Sequence, residues 1–317
     1  MAIVDQVYND IIRKIDSIGA WEIDKSVRTR WADGTSAFTK SLLNVQMKFN
    51  NALEIPILTS KRVPLKDPIN ELLWIWQEKS NDVNVLRDKY NCKVWNEWER
   101  PDGTIGKAYG WQLANKKRRV KFTAMLGQMY LNGEISKLNL EFDPDNRITT
   151  EQDILLPNWA NLDQVDYLIY MLKTNPHSRR IKTTLWSVED LDDMALEPCV
   201  YETHWQLWKN KLHLTVNVRS NDMGLGNPYN IYQYAMLHRM IAQVTDHQVG
   251  EICFNIDNAH IYDRHMSSLI SQTYRPTYAA PTVWINPNIT SFYDFKISDI
   301  KVNYYQHEKA IKLEVAI

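Results

Sequence analysis

Apolar residues recur every three or four positions from Ile3 to Ile18 (I-V-D-Q-V-Y-N-D-I-I-R-K-I-D-S-I), and Gly19 follows. That pattern predicts an amphipathic opening helix with a stop. Residues 41–49 and 55–58 carry short apolar runs that read as strands. The segment from Ile69 to Gln77 (I-N-E-L-L-W-I-W-Q) is too continuously apolar for a helix lying on the surface, so it reads as a deeply buried one. Glu71 is conspicuous inside it. Farther along, Leu212 to Val218 and Gly250 to Ile256 read as strands, with a helix from Tyr232 to Val244 between them.

Between about Lys116 and Asn161 the chain changes character: K-K-R-R, then Gly133, then the acidic, proline-containing F-D-P-D-N-R and T-E-Q-D-I-L-L-P-N-W. This reads as a surface insertion, at about 115–161, on a single catalytic domain spanning 1–317. There is no internal repeat and no low-complexity tract.

With 317 residues, 44% of them hydrophobic and 24% charged, the chain can build one large core or two modest ones and bury a pocket. Lys plus Arg total 37 against 38 for Asp plus Glu, and a net charge of -1 supplies no field for steering onto nucleic acid or an anionic membrane. Any basic site must be local. No basic segment followed by an apolar run opens the chain, and no stretch approaches the roughly 18 apolar residues of a membrane span. The expected location is the cytoplasm. Cys92, Cys199 and Cys253 are far apart and in no C-x-x-C arrangement, which argues against a disulfide framework and a structural zinc site.

Taken alone, Cys199 in L-E-P-C-V-Y-E-T-H-W would be a structural thiol, because free cysteine packs as a small hydrophobe. Its possible neighbours alter that reading. Arg28, the Arg179-Arg180 pair and Arg219-Ser220 are residue types that bind phosphate and lower a thiol pKa, although each pair by itself would be a solvated face. In G-L-G-N-P-Y-N, Tyr229 stands where a dinucleotide fingerprint needs its third glycine, so that reading fails. His260 and His265 are five apart rather than four and lack the adjacent Glu of a helical metal site, so no metal is expected.

The segments T-S-K-R, I-N-E-L-L-W, V-W-N-E-W, Y-G-W-Q, S-R-R, E-P-C-V, R-S-N-D-M-G-L-G-N-P-Y-N, H-I-Y and the terminal E-V-A-I follow one another along the chain. In that order they resemble the thymidylate synthase family over nearly the whole length outside Lys116–Asn161. The C-V-Y-E-T form is similar to the subgroup of some bacilli and their phages, for which the location would be the host cytoplasm if the gene is a phage's.

The resemblance implies an α/β (α+β) subunit with a large mixed sheet flanked by helices, dimerised with a second copy through the sheet's outer face. It implies a methyltransferase that transfers and reduces a one-carbon unit from 5,10-methylenetetrahydrofolate to carbon 5 of dUMP, giving dTMP and dihydrofolate. Carbon 6 of uracil is a conjugate acceptor, so a Cys199 thiolate adding there would make carbon 5 a nucleophile.

Arg28, Arg179, Arg180, Arg219 and Ser220 would clamp the phosphate, Arg179 and Arg180 coming from the partner subunit, and their charge would favour the thiolate. Asn230 would read the pyrimidine edge. His260 and Tyr262 would hold the deoxyribose hydroxyl, although a half-buried strand would place such a pair anyway. Glu71 would relay protons through water, and Tyr109 would help remove the carbon 5 proton. Lys61, Val94, Trp95, Trp98, Asp222, Gly226 and Tyr229 would hold the folate, with Asp222 also near the nucleotide and the Ile317 carboxylate folding over the folate.

The chain departs from the family at Asp257-Asn258, where Gly-Asp is usual before the H-I-Y histidine, and at Tyr229 and Asn96, where Phe and Asp are commoner. A dUMP hydroxymethylase, in which water instead of hydride meets the exocyclic methylene, would share every assigned residue and is the rival enzyme. A catalytically silent regulator binding nucleotide or messenger RNA is the rival outside enzymes. The full set of Cys199, Asn230, Glu71 and arginines weighs against it, as does the near-neutral charge.

Overall fold

A computed structural model describes residues 1–24, 26–151 and 153–317. Helix α1 (Ile3–Ile18) has the bounds the periodicity predicts and buries Val4, Tyr8, Ile11, Ile12 and Ile15 on one face. It ends because the chain folds tightly back: a Cβ on Gly19 would meet the Ile15 carbonyl oxygen at 2.4 Å. Strands β1 (Ala20–Glu22) and β2 (Thr39–Asn50) follow.

The expected strand at 55–58 is not one. Ile55, Ile57 and Leu58 are buried but irregular, and Pro56 among them has no N–H to give a ladder. Helix α2 (Asp67–Trp76) is buried from Pro68 to Trp76, Glu71 included, with Pro68 in its first turn where a missing N–H costs nothing. Helices α3 (Val83–Tyr90) and α4 (Gly110–Asn115) complete this part.

Residues 116–162 build a small layer of their own. Strands β3 (Arg118–Lys121), β4 (Asn139–Glu141) and, at its end, a strand at Trp159–Leu162 form a three-stranded sheet, and helix α5 (Ala124–Leu131) lies between the first two. A two-stranded ribbon pairs β5 (Ile148–Thr149) with β6 (Leu155–Leu156), which makes the Trp159–Leu162 strand β7. Asp166 of helix α6 (Gln164–Thr174) ties this layer down by accepting from the Ser136 and Lys137 backbone N–H groups.

The main sheet is completed by β8 (Lys182–Thr184), β9 (Val200–Trp208), β10 (Lys211–Val218), β11 (Asn221–Asp222) and β12 (Gln248–Tyr262). Its order is β1-β2-β12-β10-β9-β8, with β11 beside β12. The β10–β12 and β11–β12 pairs are parallel and the other pairs antiparallel, so the sheet is mixed as expected. Lys209 and Asn210 both have positive φ, the backbone a tight two-residue hairpin needs between β9 and β10.

Helix α7 (Gly226–Val244) is the crossover between β11 and β12. It begins six residues before the apolar pattern does, because Gly226 and Pro228 read as a loop. Pro228 falls in the first turn, where N–H groups have no helical partner anyway.

The two faces of the sheet differ. Val45, Met47, Phe49, Leu214, Val216, Ile252, Phe254 and Ile256 point into the core, where α1, α2 and α7 lie. On the outer face a polar belt crosses the strands. Gln46 donates to Asn255 (3.0 Å), Asn255 to Asn217 (3.0 Å), Asn217 to Glu202 (2.8 Å) and Lys182 to Glu202 (2.9 Å). Among the described residues no helix is long and apolar enough to cross a membrane.

Candidate active site

Cys199 sits at the mouth of β9, one residue before the strand begins, and is partly exposed. Its carbonyl accepts from the Arg219 backbone N–H at 2.9 Å. Its own N–H donates to the Tyr109 hydroxyl at 3.2 Å. The Arg219 guanidinium folds back on the same loop, donating to the carbonyls of Glu197 (2.7 Å) and Pro198 (3.1 Å). Arg219 is thus a strut for the loop that carries the thiol as well as a nearby positive charge.

Burial pushes the Cys199 thiol above its ordinary value; Arg219 and then Arg28 oppose this, while Asp222 adds to it. The arginines act in the expected direction but do not win. Desolvation is the larger of the opposing effects, so the thiol lies above its ordinary value despite the two cations.

Tyr109 is held in an unusual backbone conformation, φ +46° and ψ -104°, outside the ordinary left-handed region. Such strain costs on the order of 1–3 kcal/mol and persists only where the surroundings enforce it. Here Trp95 packs edge-on against the Tyr109 ring at 5.0 Å. Gly110, next in the chain, allows the close approach, since a Cβ there would meet the Ser80 carbonyl oxygen at 2.2 Å. Burial raises the Tyr109 phenol well above its usual range, so it stays protonated.

Behind Tyr109 lies Glu71. The Trp95 indole N–H donates to one carboxyl oxygen at 2.5 Å, and the Gln233 amide donates to the other. Burial raises the Glu71 carboxyl to about 7, against the pull of Gln233, Trp95 and Tyr229. Trp95 is itself buried, and its polar edge is spent on Glu71, whereas Trp98, in edge contact with it at 5.6 Å, is partly exposed. Val94 packs partly buried against the core.

On the other side, β11 pairs with β12 so that Asp222 lies level with His260 and Asn221 with Ala259. A chain of amides then runs to the helix: Asn227 donates to Asn221 (2.6 Å), and Asn221 donates to the Asn230 side-chain oxygen (3.1 Å). This fixes which end of the Asn230 amide is oxygen. Asn258 holds His260 at Nδ1 (3.1 Å) and itself donates to Glu22 (3.0 Å). Burial lowers the His260 pKa, with Asp222 and Glu22 opposing. Tyr262 stands edge-on to His260 at 5.3 Å. Ser220 is partly exposed between β10 and β11.

Asp222 accepts from the Gly224 and Leu225 backbone N–H groups (2.7 and 3.1 Å), closing the turn before Gly226. The buried Lys61 ammonium donates to the Gly224 carbonyl at 2.5 Å, and desolvation lowers its pKa to about 8. The C-terminal segment lies over this region. Ile317 exchanges two backbone hydrogen bonds with Arg30 (2.6 and 2.9 Å), the Glu314 carboxylate meets Arg264 (3.0 Å), and the Glu314 carbonyl meets His265 (2.9 Å).

Two expected clamp residues lie elsewhere. Arg179 and Arg180 are exposed on the loop before β8. Register puts Lys182 level with His204, five residues along β9 from Cys199, or about 16 Å at the usual rise per residue. Arg28 is exposed on the loop after β1 and close enough to act electrostatically on Cys199 and Tyr262.

Asn221, Gln233 and Asn258 were not read from the sequence as site residues. Asn221 lies inside the R-S-N-D-M-G segment and Asn258 in the Asp257-Asn258 departure, while Gln233 stands one helical turn after Tyr229 on the same face. Among the described residues no group of three or more His, Cys, Asp or Glu side chains could hold a metal ion.

A sequence model described as "Thymidylate synthase" matches residues 6–317. A protein of Bacillus licheniformis named thymidylate synthase is 47% identical to this chain over 100% of both. Those of Bacillus mojavensis and Bacillus phage phi3T are 46% identical over 99% of both. The solved structure of thermostable thymidylate synthase A from Bacillus subtilis superposes with a TM-score of 0.82 at 45% identity, covering 99% of each chain.

Proposed function

The chain belongs to the thymidylate synthase family, and from that premise we propose how its residues carry out the conversion of dUMP to dTMP. It is a methyltransferase of dTMP biosynthesis, with 5,10-methylenetetrahydrofolate as cosubstrate. The folate supplies the one-carbon unit and the reducing hydride.

Cys199 is the nucleophile. The observation that carries this is the cage around it, in which Tyr109 takes the Cys199 N–H while Arg219 braces the carbonyls of Glu197 and Pro198. Such a loop presents Sγ in one place. Because burial disfavours the thiolate, the thiol gives up its proton to water as it adds to the pyrimidine, and the arginines stabilise the charge as it forms. Addition to carbon 6 moves the ring's electrons to carbon 5 and its neighbouring carbonyl.

Asn230 reads the base, its amide oriented by Asn221. His260, oriented by Asn258, and Tyr262 hold the deoxyribose hydroxyl. Glu71, with a pKa near the working pH, passes protons to and from the ring through water. Tyr109 stays a neutral phenol, so it helps remove the carbon 5 proton by orienting a water rather than by acting as an anionic base. Trp98, Val94, Lys61, Asp222, Gly226 and Tyr229 form the folate side, with Trp95 behind them, and the tail ending at Ile317 covers it.

We assign Arg28, Arg219 and Ser220 to the phosphate from the same subunit, and Arg179 and Arg180 to the phosphate of a partner's site. Their place on the loop before β8, which meets β9 about 16 Å along the strand from Cys199, supports this. The partner is a second copy docked on the polar outer face of the sheet. The domain is single, residues 115–161 are a surface extension of it, and its location is the cytoplasm.

Incubation with dUMP and methylenetetrahydrofolate, with both products identified by mass, tests the assignment. Thymidylate with dihydrofolate is expected. A nucleotide heavier by one oxygen, with tetrahydrofolate returned, would make the chain a hydroxymethylase.

A further inference from the structure

Tyr229 sits in the first turns of α7, one turn before Gln233, and its ring ends in the compartment that holds Glu71. Its hydroxyl oxygen is buried and makes no hydrogen bond of ordinary geometry, although it lies near enough to Glu71 to act on that group. A buried hydroxyl left unpaired costs roughly 1–3 kcal/mol, so such a group is retained where some state of the molecule gives it a partner. Burial acts on it most strongly, and after burial the neighbouring groups Glu71, Cys92 and Asp67, in that order. Cys92 is buried, with a thiol pushed up to about 11 chiefly by burial, so it stays neutral and is a weak acceptor. Asp67 lies at the start of α2, a turn away from Glu71. Glu71 is the strong acceptor within reach. Each of its oxygens already takes one donor, Trp95 or Gln233, but a carboxylate can accept about four.

We propose that the Tyr229 hydroxyl is the third donor to the Glu71 carboxylate, engaged when that group loses its proton, and is thereby a positioning residue for the proton relay. The inference rests on the reading of Glu71 given above. The other groups facing Glu71 do not compete for this role. The Tyr109 hydroxyl is already engaged by the Cys199 N–H and that of Tyr234 by Trp76, Cys92 is a neutral thiol, and Asp67 is an acceptor that can only repel. Of these, only Tyr229 has a fully buried oxygen that makes no hydrogen bond of ordinary geometry. A donor that serves the charged form more than the neutral one favours ionisation.

The test is Tyr229→Phe, which removes one oxygen and keeps the ring. In protein labelled with carbon-13 at the glutamate carboxyls, the Glu71 resonance is assigned by its loss in Glu71→Gln and followed against pH. Tyr229→Phe is expected to raise the Glu71 midpoint by at least about 0.5, a factor of about three in its ionisation constant. The limb of the kcat–pH profile governed by Glu71 should move up with it, while binding of dUMP is unchanged.

A moved resonance with an unmoved profile would uphold the donor and remove Glu71 from the relay. An unmoved resonance would overturn the inference whatever the kinetics. Should Tyr229→Phe fail to fold, Cys92→Ala serves in its place: removing the thiol, the weak rival acceptor beside the hydroxyl, should lower the Glu71 midpoint, and no change or a rise would overturn the donor role.

Discussion

The Tyr109 hydroxyl accepts the backbone N–H of Cys199 at 3.2 Å, and it does so from a residue whose own backbone is strained. Strain at one end and a single hydrogen bond at the other mean that Tyr109 fixes the position of the loop that carries the thiol.

Tyr109→Phe should therefore leave the Cys199 N–H unpaired and remove the hydroxyl that orients a water. We expect kcat to fall by about 10²-fold with little change in dUMP affinity. Single-turnover kinetics beside equilibrium binding would check both, and a loss confined to KM would refute the assignment.

Cys199→Ser should bind dUMP within a factor of about three of the parent and form no covalent adduct. In the unmodified protein, alkylation of Cys199 should be slow at neutral pH and quicken above the usual thiol range, because burial raises its pKa. Mass spectrometry of the alkylated peptide reads the rate. Fast labelling at neutral pH would show that the arginines outweigh burial after all.

Glu71 supplies a stability prediction whose sign follows from its environment. Burial raises its pKa to about 7 in the folded chain from its ordinary 4.5. The unfolded chain therefore loses that proton first, and the folded state loses stability as pH climbs from the unfolded value through the folded one. The contribution lost above about pH 8 is on the order of 3 kcal/mol. Glu71→Gln cannot ionise, so its melting temperature should gain on the parent's as pH rises across that window. Parallel melting curves from about pH 5 to about pH 9 would contradict the burial argument.

How much of this was legible in the sequence varied with the physics. Helix α1, the burial of α2 and the alternation in β10 were readable because a 3.6-residue or two-residue period leaves its mark on local composition. Residues 55–58 were misread as a strand because apolarity reports burial and not hydrogen bonding. The start of α7 was missed because glycine and proline carry the same signature in a loop and in a first helical turn. Cys199, Glu71 and Asn230 are singled out through resemblance in motif. The hydrogen bonds of Asn221 to Asn230 and of Asn258 to His260 are not legible, because contacts set by pairing β11 with β12 have no fixed spacing along the chain.

Asn230→Asp should shift preference from dUMP toward dCMP. An Asp oxygen can still accept from Asn221 as the Asn oxygen does, so the side chain stays in place while its other end loses a donor and gains an acceptor suited to an exocyclic amine. Competition between the two nucleotides measures the shift, and unchanged discrimination would show that the base is read elsewhere.

Shared sites predict a particular complementation. A heterodimer with Cys199→Ser in one subunit and Arg179→Ala with Arg180→Ala in the other has one pocket with both lesions and one with neither. Each inactive homodimer should thus regain, on subunit exchange, one working site per mixed dimer. Confirmed exchange with no recovery, or an active monomer in sedimentation, would refute the sharing.

The polar belt on the outer sheet face, from Gln46 through Asn255 and Asn217 to Glu202 and Lys182, also bears on how this protein can change over generations. Each member is both supported by and committed to the next, so replacing Asn217 alone strands Asn255 on one side and Glu202 on the other. Neighbours in one network do not respond additively. The five positions should therefore change together: lineages that differ at one of them are expected to differ at several.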